Sequence, residues 1–519
     1  MKKSRTVNAI INSSVLATIQ VITIFLKFLT QTIFIYYLGK TYLGLNGLFS
    51  NILSVLGFAD LGIDTSIVYA LYAPLAQQDR KKVAALMNFL HEAYIFIGVV
   101  IAVAGLIVIP FLPNLIKDYH AVAYIPFYYV LYLTNSVVSY FFTYKRSILI
   151  ADQMEWVSAT NQFIFMVIQT VLQVIVLFFI GSYSLYLAIQ IVCTLASNIV
   201  ISRRVDRKYT YLTKLKEERI SKAEFRSIKH NVYGMIGSRL GSVVVRSTDN
   251  LLLSTFAGLG LVGIYSNYQL ITTSVAGILN KLVSSVTATV GNLITERDEA
   301  DVYHVFNTHF MVNFYLVSYT AACLLVAFDP FIKLWAGKTF LLSSFTVGVI
   351  VINYFVDQIR QTAITFVSAY GLFVPNGKKS VFEAIINLGL SSLLLVKFNL
   401  GVAGVLLGTT MTNLILNSWF EPWLIFSRGF RSLRKKFLKF YLFQYGLNLL
   451  MMLVFIFVVH FIIQNTIDVH ITSLIVQTFV NLFVMVVILT VFIFIVYGRS
   501  ESFKDLIGIF RKIPKLLKR

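Results

Sequence analysis

Hydrophobic residues along the 519-residue chain gather into fourteen mostly apolar stretches, near residues 8–38, 43–73, 84–112, 121–149, 156–180, 182–202, 231–257, 259–293, 302–328, 340–371, 380–397, 401–427, 440–464 and 472–497. Apolar runs of about 20 residues read as helices that cross roughly 30 Å of hydrocarbon. Polar positions inside some of them share one face at helical spacing. The first stretch carries Ser13, Gln20, Thr23, Lys27 and Gln31, and the second Asn46, Ser50, Ser54, Gly57, Asp60 and Asp64. The seventh carries Arg239, Ser242, Arg246, Asp249 and Asn250, and the eighth Asn267, Ser274, Lys281, Ser285 and Asn292.

Those two pairs occupy matching places in a duplicated chain. Leu43-Gly44-Leu45-Asn46-Gly47-Leu48-Phe49-Ser50-Asn51 returns as Leu259-Gly260-Leu261-Val262-Gly263-Ile264-Tyr265-Ser266-Asn267, with six of nine positions identical at an offset of 216. Each copy falls where one apolar stretch has ended and the next begins, the place for a helix-to-helix turn. Such repeats are typical of secondary transporters, whose substrate sites lie near mid-membrane between the repeats. The expected fold is an all-α integral membrane protein of fourteen transmembrane helices. It comprises a six-helix lobe over 1–202, a basic linker over 203–230, a second six-helix lobe over 231–427, two appended helices over 428–498 and a basic amphipathic tail over 499–519.

Composition agrees, with 57% hydrophobic and 13% charged residues and a mean hydropathy of +0.78, which exclude a soluble globule. The formal net charge of +21 would suggest nucleic acid in a soluble protein, but its placement decides otherwise. With fourteen crossings, one side collects 34 of the 44 Lys and Arg together with both termini, and the other holds Lys40, Lys117, Lys333, Lys338 and Lys397. The positive-inside rule then puts both termini in the cytoplasm, with the linker and tail lying on the anionic inner leaflet. Met1 to Arg5 imitates a signal peptide, but the apolar run behind it is about twice the usual length and no cleavage site follows, which predicts a retained helix. Cys193 and Cys323 lie inside apolar segments and the histidines show no ligand spacing, so neither disulfides nor a metal site is expected.

Intramembrane Lys and Arg are costly unless they face a wet cavity or a partner, so they default to function. A serine or asparagine in such a helix more often only bridges to its neighbour. Lys27, Arg239, Arg246 and Lys281 are therefore the candidate cationic site, with Gln20, Gln31, Asn46, Ser50, Asn267 and Ser274 as polar lining. Asp60, Asp64, Glu92, Asp249, Asp357 and Arg360 are candidates for coupling to a proton or Na⁺. Glu92 reads equally as interfacial, and the pairs Arg246–Asp249 and Asp357–Arg360 equally as structural ion pairs. Glu383 and Glu421, near stretch ends, read as interfacial. Lys145 and Arg146 read as markers of a cytoplasmic end.

No nucleotide or catalytic signature appears. Gly39-Lys40-Thr41 and Gly337-Lys338-Thr339 lack the upstream glycine of a phosphate loop, and short outer loops leave no room for an extracytoplasmic catalytic domain. The chain is expected to be no enzyme and to need no cofactor beyond a coupling ion. The run from Tyr37 to Asn51, Asp60-Leu61-Gly62, Leu71 to Leu75, Asp249-Asn250, Tyr265 to Tyr268, Gly291-Asn292, Glu383 to Asn387 and Gly401 to Val405 resemble Wzx-type polysaccharide flippases. These belong to the multidrug/oligosaccharidyl-lipid/polysaccharide exporter superfamily. Members carry an arginine in the first helix where this chain has Gln31, and Lys27 lies one turn earlier on the same face. The resemblance implies two pseudo-symmetric lobes around a central cavity that opens alternately to each side of a bacterial plasma membrane. It implies as substrate an undecaprenyl-pyrophosphate-linked oligosaccharide, flipped outward for capsule or exopolysaccharide synthesis, with polymerase machinery as a further partner. A cation-coupled drug exporter of the same superfamily and a membrane glycan polymerase are the alternatives.

Overall fold

The computed structural model describes residues 5–57, 63–117, 119–284, 287–466, 473–501, 503–505 and 508. Side chains of residues 5–11, 13, 227, 230, 231, 233–246, 288, 289, 292 and 295 fall outside that description. Among the described residues the chain is helical, without a strand. Two compact units divide it, Met1–Ser266 and Asn267–Arg519.

The first unit begins with α1 (Arg5–Leu56), broken at Gly39, whose φ of 76° only glycine adopts freely. That break falls where the apolar pattern calls for the first turn. The second apolar stretch is then shared between the end of α1 and α2 (Ile63–Gln77). Then come α3 (Arg80–Val108), α4 (Leu112–Leu115), α5 (Ile125–Thr143), α6 (Arg146–Ala151), α7 (Glu155–Phe179), α8 (Tyr183–Lys208), α9 (Tyr211–Lys214), α10 (Lys222–Phe256) and the start of α11 (Leu259–Ser284). Asp79 and Ser182 cap α3 and α8, and Ser221 with Glu224 forms a reciprocal capping box on α10.

Two apolar clusters fill this unit. One gathers Phe34, Leu48, Phe49, Tyr129 and Tyr132 with the starts of α5 and α8. The other gathers Ile67, Leu71, Val83, Leu90, Ile148 and Val205 around α2, α3, α6 and the end of α8. Both copies of the repeated motif meet here, backbone against backbone. A Cβ on Gly44 would stand 1.9 Å from the Leu259 carbonyl oxygen, and one on Gly263 would stand 2.0 Å from the Lys40 carbonyl oxygen. Only glycine permits that approach.

The second unit continues through α12 (Thr287–Glu296), α13 (Glu299–Trp335), α14 (Ser344–Ile359), α15 (Gln361–Ala369), α16 (Phe373–Val396), α17 (Gly401–Thr412), α18 (Ser418–Arg428), α19 (Phe437–Lys439), α20 (Asn448–Thr466) and α21 (Leu474–Tyr497). Wider π turns at Asn413–Asn417 and Phe440–Leu447 join α17 to α18 and α19 to α20. Phe306, Phe366, Phe426 and Phe430 pack edge to face, and Phe440 tilts against Phe306, at ring distances of 5.0 to 6.0 Å around one end of α13. Among the described residues, eight helices are long and apolar enough to cross a membrane. Ser14–Leu56 counts once among them although Gly39 breaks it.

Candidate functional site

In the first unit, α1, α3, α5 and α8 enclose a groove of about 610 Å³. Ser50 and Ser54 from α1, Asn135 and Ser139 from α5 and Gln190 from α8 line it with the phenols of Tyr94, Tyr132 and Tyr140, and among the described residues no charged side chain does. Tyr140 also touches both apolar clusters, so the groove lies between them. Gly57 opens its wall, since a Cβ there would come within 3.0 Å of the Tyr140 hydroxyl. Among the described residues the buried Asn135 Oδ1 has no hydrogen-bond partner, an acceptor left for something that enters. Such a wall can bind hydroxyl and amide groups and stack on rings.

Asn46 faces the neighbouring tyrosines instead of the groove. Its Oδ1 accepts from the Tyr183 hydroxyl at 2.7 Å and from the Tyr132 hydroxyl. Gln20 and Gln31 are half-buried on α1, Lys27 is exposed there, and Ser50 reaches the groove. Asp64 accepts from the Ser147 hydroxyl. Asp249 is buried near Tyr265. Glu92 is exposed and paired with Arg219 across the surface. Arg239 and Arg246 lie on α10, but their side chains are outside the described residues, as is Asp60 entirely. In the second unit, Asn267 is fully buried, Ser274 half-buried and Lys281 exposed.

The densest electrostatic feature of the second unit is one the stripes did not predict. Arg360 sits in the break between α14 and α15, where it donates Nε to Glu421 Oε2 at 3.1 Å and Nη2 to Oε1 at 2.7 Å. Asp357, the partner expected from i,i+3 spacing, is at 3.7 Å and a third exposed. It stands at the edge of the network rather than at its centre, because Glu421 offers bidentate geometry and Asp357 does not. Lys379 on α16 donates to Glu421 at 2.9 Å, to Glu383 at 3.0 Å and to Asn417 at 2.6 Å. The Asn417 amide donates to Glu383 and to Asn413, each at 2.6 Å, and Asn413 also accepts from Arg360.

Glu383 and Glu421 are therefore buried, not interfacial: their side chains are 10% and 2% exposed. Two cations and two anions cancel, which is the condition under which charges remain inside a membrane protein. The residue signal was present in the spacing of Lys379 and Glu383, and in the four-residue steps Asn413, Asn417, Glu421.

The first unit holds a counterpart. Arg146 opens α6 after the break that ends α5, and it too is buried. It donates to Ser158 Oγ at 3.1 Å, Ser197 Oγ at 3.0 Å and Asn198 Oδ1 at 2.9 Å. Asn161 braces Ser197 at 2.8 Å. Among the described residues no ion pair reaches Arg146, so it is a buried clamp and not a marker of the membrane edge. In sequence, α7 and α16 begin 218 residues apart, as do α8 and α17, and Asn161 matches Lys379 at that offset. Asn198 matches Asn417 at 219, the extra residue being that of the π turn.

A polysaccharide biosynthesis protein family matches residues 10–288, more than half of the chain. No curated protein sequence matches it. Among solved structures, the inward closed conformation of the lipid II flippase MurJ aligns with a TM-score of 0.64 at 15% identity, covering 92% of this chain and 98% of that one. An inward-facing multidrug resistance MATE transporter of the MOP superfamily aligns with a TM-score of 0.56 at 15% identity, covering 75% of this chain and 91% of that one. A MOP superfamily transporter from Pyrococcus furiosus with a binding pocket of reverse polarity aligns with a TM-score of 0.51 at 14% identity, covering 89% and 95%. At such identities the likeness establishes a shared fold.

Proposed function

The chain belongs to the polysaccharide biosynthesis protein family and has the fold of MOP superfamily transporters, and from that premise we propose that it flips undecaprenyl-pyrophosphate-linked oligosaccharide repeat units from the inner to the outer leaflet of a bacterial plasma membrane. The observation that carries this reading is the groove of about 610 Å³ in the first unit, whose described lining is polar and aromatic. Crossing hydrocarbon strips a sugar of its water, and each unpaired hydroxyl then costs several kcal/mol. Ser, Asn, Gln and Tyr side chains replace that water with donors and acceptors of the same kind, while the prenyl chain stays in lipid. The pyrophosphate needs cations, and Lys27, Arg239, Arg246 and Lys281 are assigned to it. The sugars leave as they entered, since transport changes no covalent bond.

Reconstitution with a fluorescent lipid-linked oligosaccharide tests this directly. Asn135→Leu with Ser139→Val is expected to slow translocation of the glycan-bearing lipid at least about tenfold, the scale of one or two lost hydrogen bonds. Neutralising all four assigned cations with Gln should abolish it. Undiminished translocation in both variants refutes the assignment, and export of cationic amphiphiles in place of the lipid-linked sugar points to the drug-exporter alternative.

A further inference from the structure

A second cavity, of about 350 Å³, lies in the Asn267–Arg519 unit where α13, α20 and α21 converge. Its walls break the apolar character of the two appended helices. Asp329, Pro330 and Lys333 come from α13, His460 and Gln464 from α20, and Gln477, Thr478 and Asn481 from α21. The polar groups share one level. Asp329 lies six residues before the end of α13, His460 six before the end of α20 and Asn481 seven after the start of α21, each about 10 Å along its helix.

Plain interhelical bonding does not account for them. Asp329 Oδ1, His460 Nδ1 and Asn481 Oδ1 are all buried, and among the described residues none has a hydrogen-bond partner. Pro330 adds to the deficit, because it supplies no N–H to the carbonyl of Val326, which also lines the cavity. A carboxylate oxygen, an amide oxygen and a backbone carbonyl can only accept, and of the unpartnered atoms the imidazole nitrogen alone can donate. What the pocket lacks is a proton.

We propose that Asp329 and His460 form a proton-binding site between α13 and the appended helices, which supplies the coupling ion for transport. The coupling role rests on the flippase reading; the proton site itself does not. Lys333 at the rim and the phenol of Tyr268, which lies close to Asp329 from α11, are the other titratable groups that face it. The lining of the cavity includes no titratable group from α14 or α21. Lys333 and His460 disfavour an alkali ion among these oxygens, whereas one proton satisfies Asp329 or His460 and leaves a donor for Asn481.

The test is a ¹⁵N-histidine NMR titration of the full chain in nanodiscs, with the His460 signal identified by its loss in His460→Gln. The midpoint of His460 is expected to move by about one pH unit or more in Asp329→Asn, and to be the same in sodium and potassium. A midpoint indifferent to Asp329 overturns the proposal, and a midpoint moved by sodium assigns the site to an alkali ion instead. Should Asp329→Asn fail to fold, the carboxyl band of Asp329 is followed by infrared difference between acid and neutral pH, and His460→Gln must displace its titration. In vesicles, His460→Gln is expected to lose at least fivefold of the stimulation of lipid-linked sugar translocation by a pH gradient. Absence of any translocation by the unaltered chain counts against the flippase reading, and the titration still decides the proton site.

Discussion

The buried ion cluster of the second unit makes a quantitative commitment. Glu421→Gln keeps the shape of the side chain but removes its charge, leaving Arg360 and Lys379 to share Glu383, with Asp357 a third exposed at the edge. Three charge-assisted hydrogen bonds, at 3.1, 2.7 and 2.9 Å, lose their anionic acceptor. One of them must also face the amide nitrogen of the glutamine, a donor against a donor. Uncompensated charge in a buried pair costs about 3 to 5 kcal/mol. For a unit of roughly this size each kcal/mol corresponds to about 2 to 4 °C of melting temperature.

Thermal unfolding in nanodiscs, followed by tryptophan fluorescence, should therefore fall by roughly 6 to 20 °C in Glu421→Gln. Combining it with Lys379→Met removes one cation along with the anion and restores neutrality. The double variant is expected to recover at least about half of the loss, a coupling of the size seen for contacting groups. A single variant that melts within about 2 °C of the unaltered chain refutes the reasoning, as does a double variant no better than the single.

Other consequences follow from close packing and from the surface. Gly44→Ala or Gly263→Ala forces a methyl into a backbone carbonyl at 1.9 or 2.0 Å; each should cost about 1 to 3 kcal/mol by overpacking, measured as a lower melting temperature, whereas Gly291→Ala, with nothing within 4 Å of its added carbon, should not lower it. Hydrogen bonds from Lys82 and Ser221 hold the Glu224 carboxyl below its ordinary range. Its contribution to the start of α10 is present above the unfolded carboxylate range and lost as pH falls through the lower folded value. Hydrogen exchange of residues 222–226, corrected for intrinsic rate, should accelerate in that acid window and do so at neutral pH in Glu224→Gln.

Periodicity made the helices, the turn at Gly39 and the repeated motif legible, because each is written in neighbouring residues. The charge cluster was not, for a local reason. Lys379 lies just outside the apolar stretch 380–397, and Glu383 and Glu421 lie near stretch ends, where charges normally meet water. Helix α16 in fact starts at Phe373, and Asn413, Asn417 and Glu421, four residues apart across the π turn, meet Arg360 or Lys379. Arg146 was hidden in the same way, by standing beside Lys145 in what reads as a basic border. On one helical face of α1, Ser50 lines the groove of the first unit while Asn46 is taken by two phenols, a tertiary choice that the face alone cannot reveal.

The two arginine clamps turn the duplication into a test of its own. Each half breaks its chain after α5 or α14 and puts an arginine at the break, held from α7 and α8 in the first half and from the π turn and α18 in the second. The first half uses neutral groups, Ser158, Ser197 and Asn198, and the second uses Glu421 and Asn413, with Lys379 sharing the Glu421 carboxylate. Replacing the arginine by methionine therefore has different consequences. Arg146→Met removes a buried charge that dipoles alone hold, and leaves Asn161 still bonded to Ser197, a loss of about 1 to 3 kcal/mol at most. Arg360→Met leaves two buried carboxylates to one lysine, an excess anion costing about 3 to 5 kcal/mol. Adding Glu421→Gln to Arg360→Met should restore much of that stability, while no charge change in the first half can rescue Arg146→Met, because no anion there is left stranded. If Arg146→Met melts as low as Arg360→Met, or Glu421→Gln fails to rescue, the two clamps do not differ in charge balance and the distinction drawn between the halves is wrong.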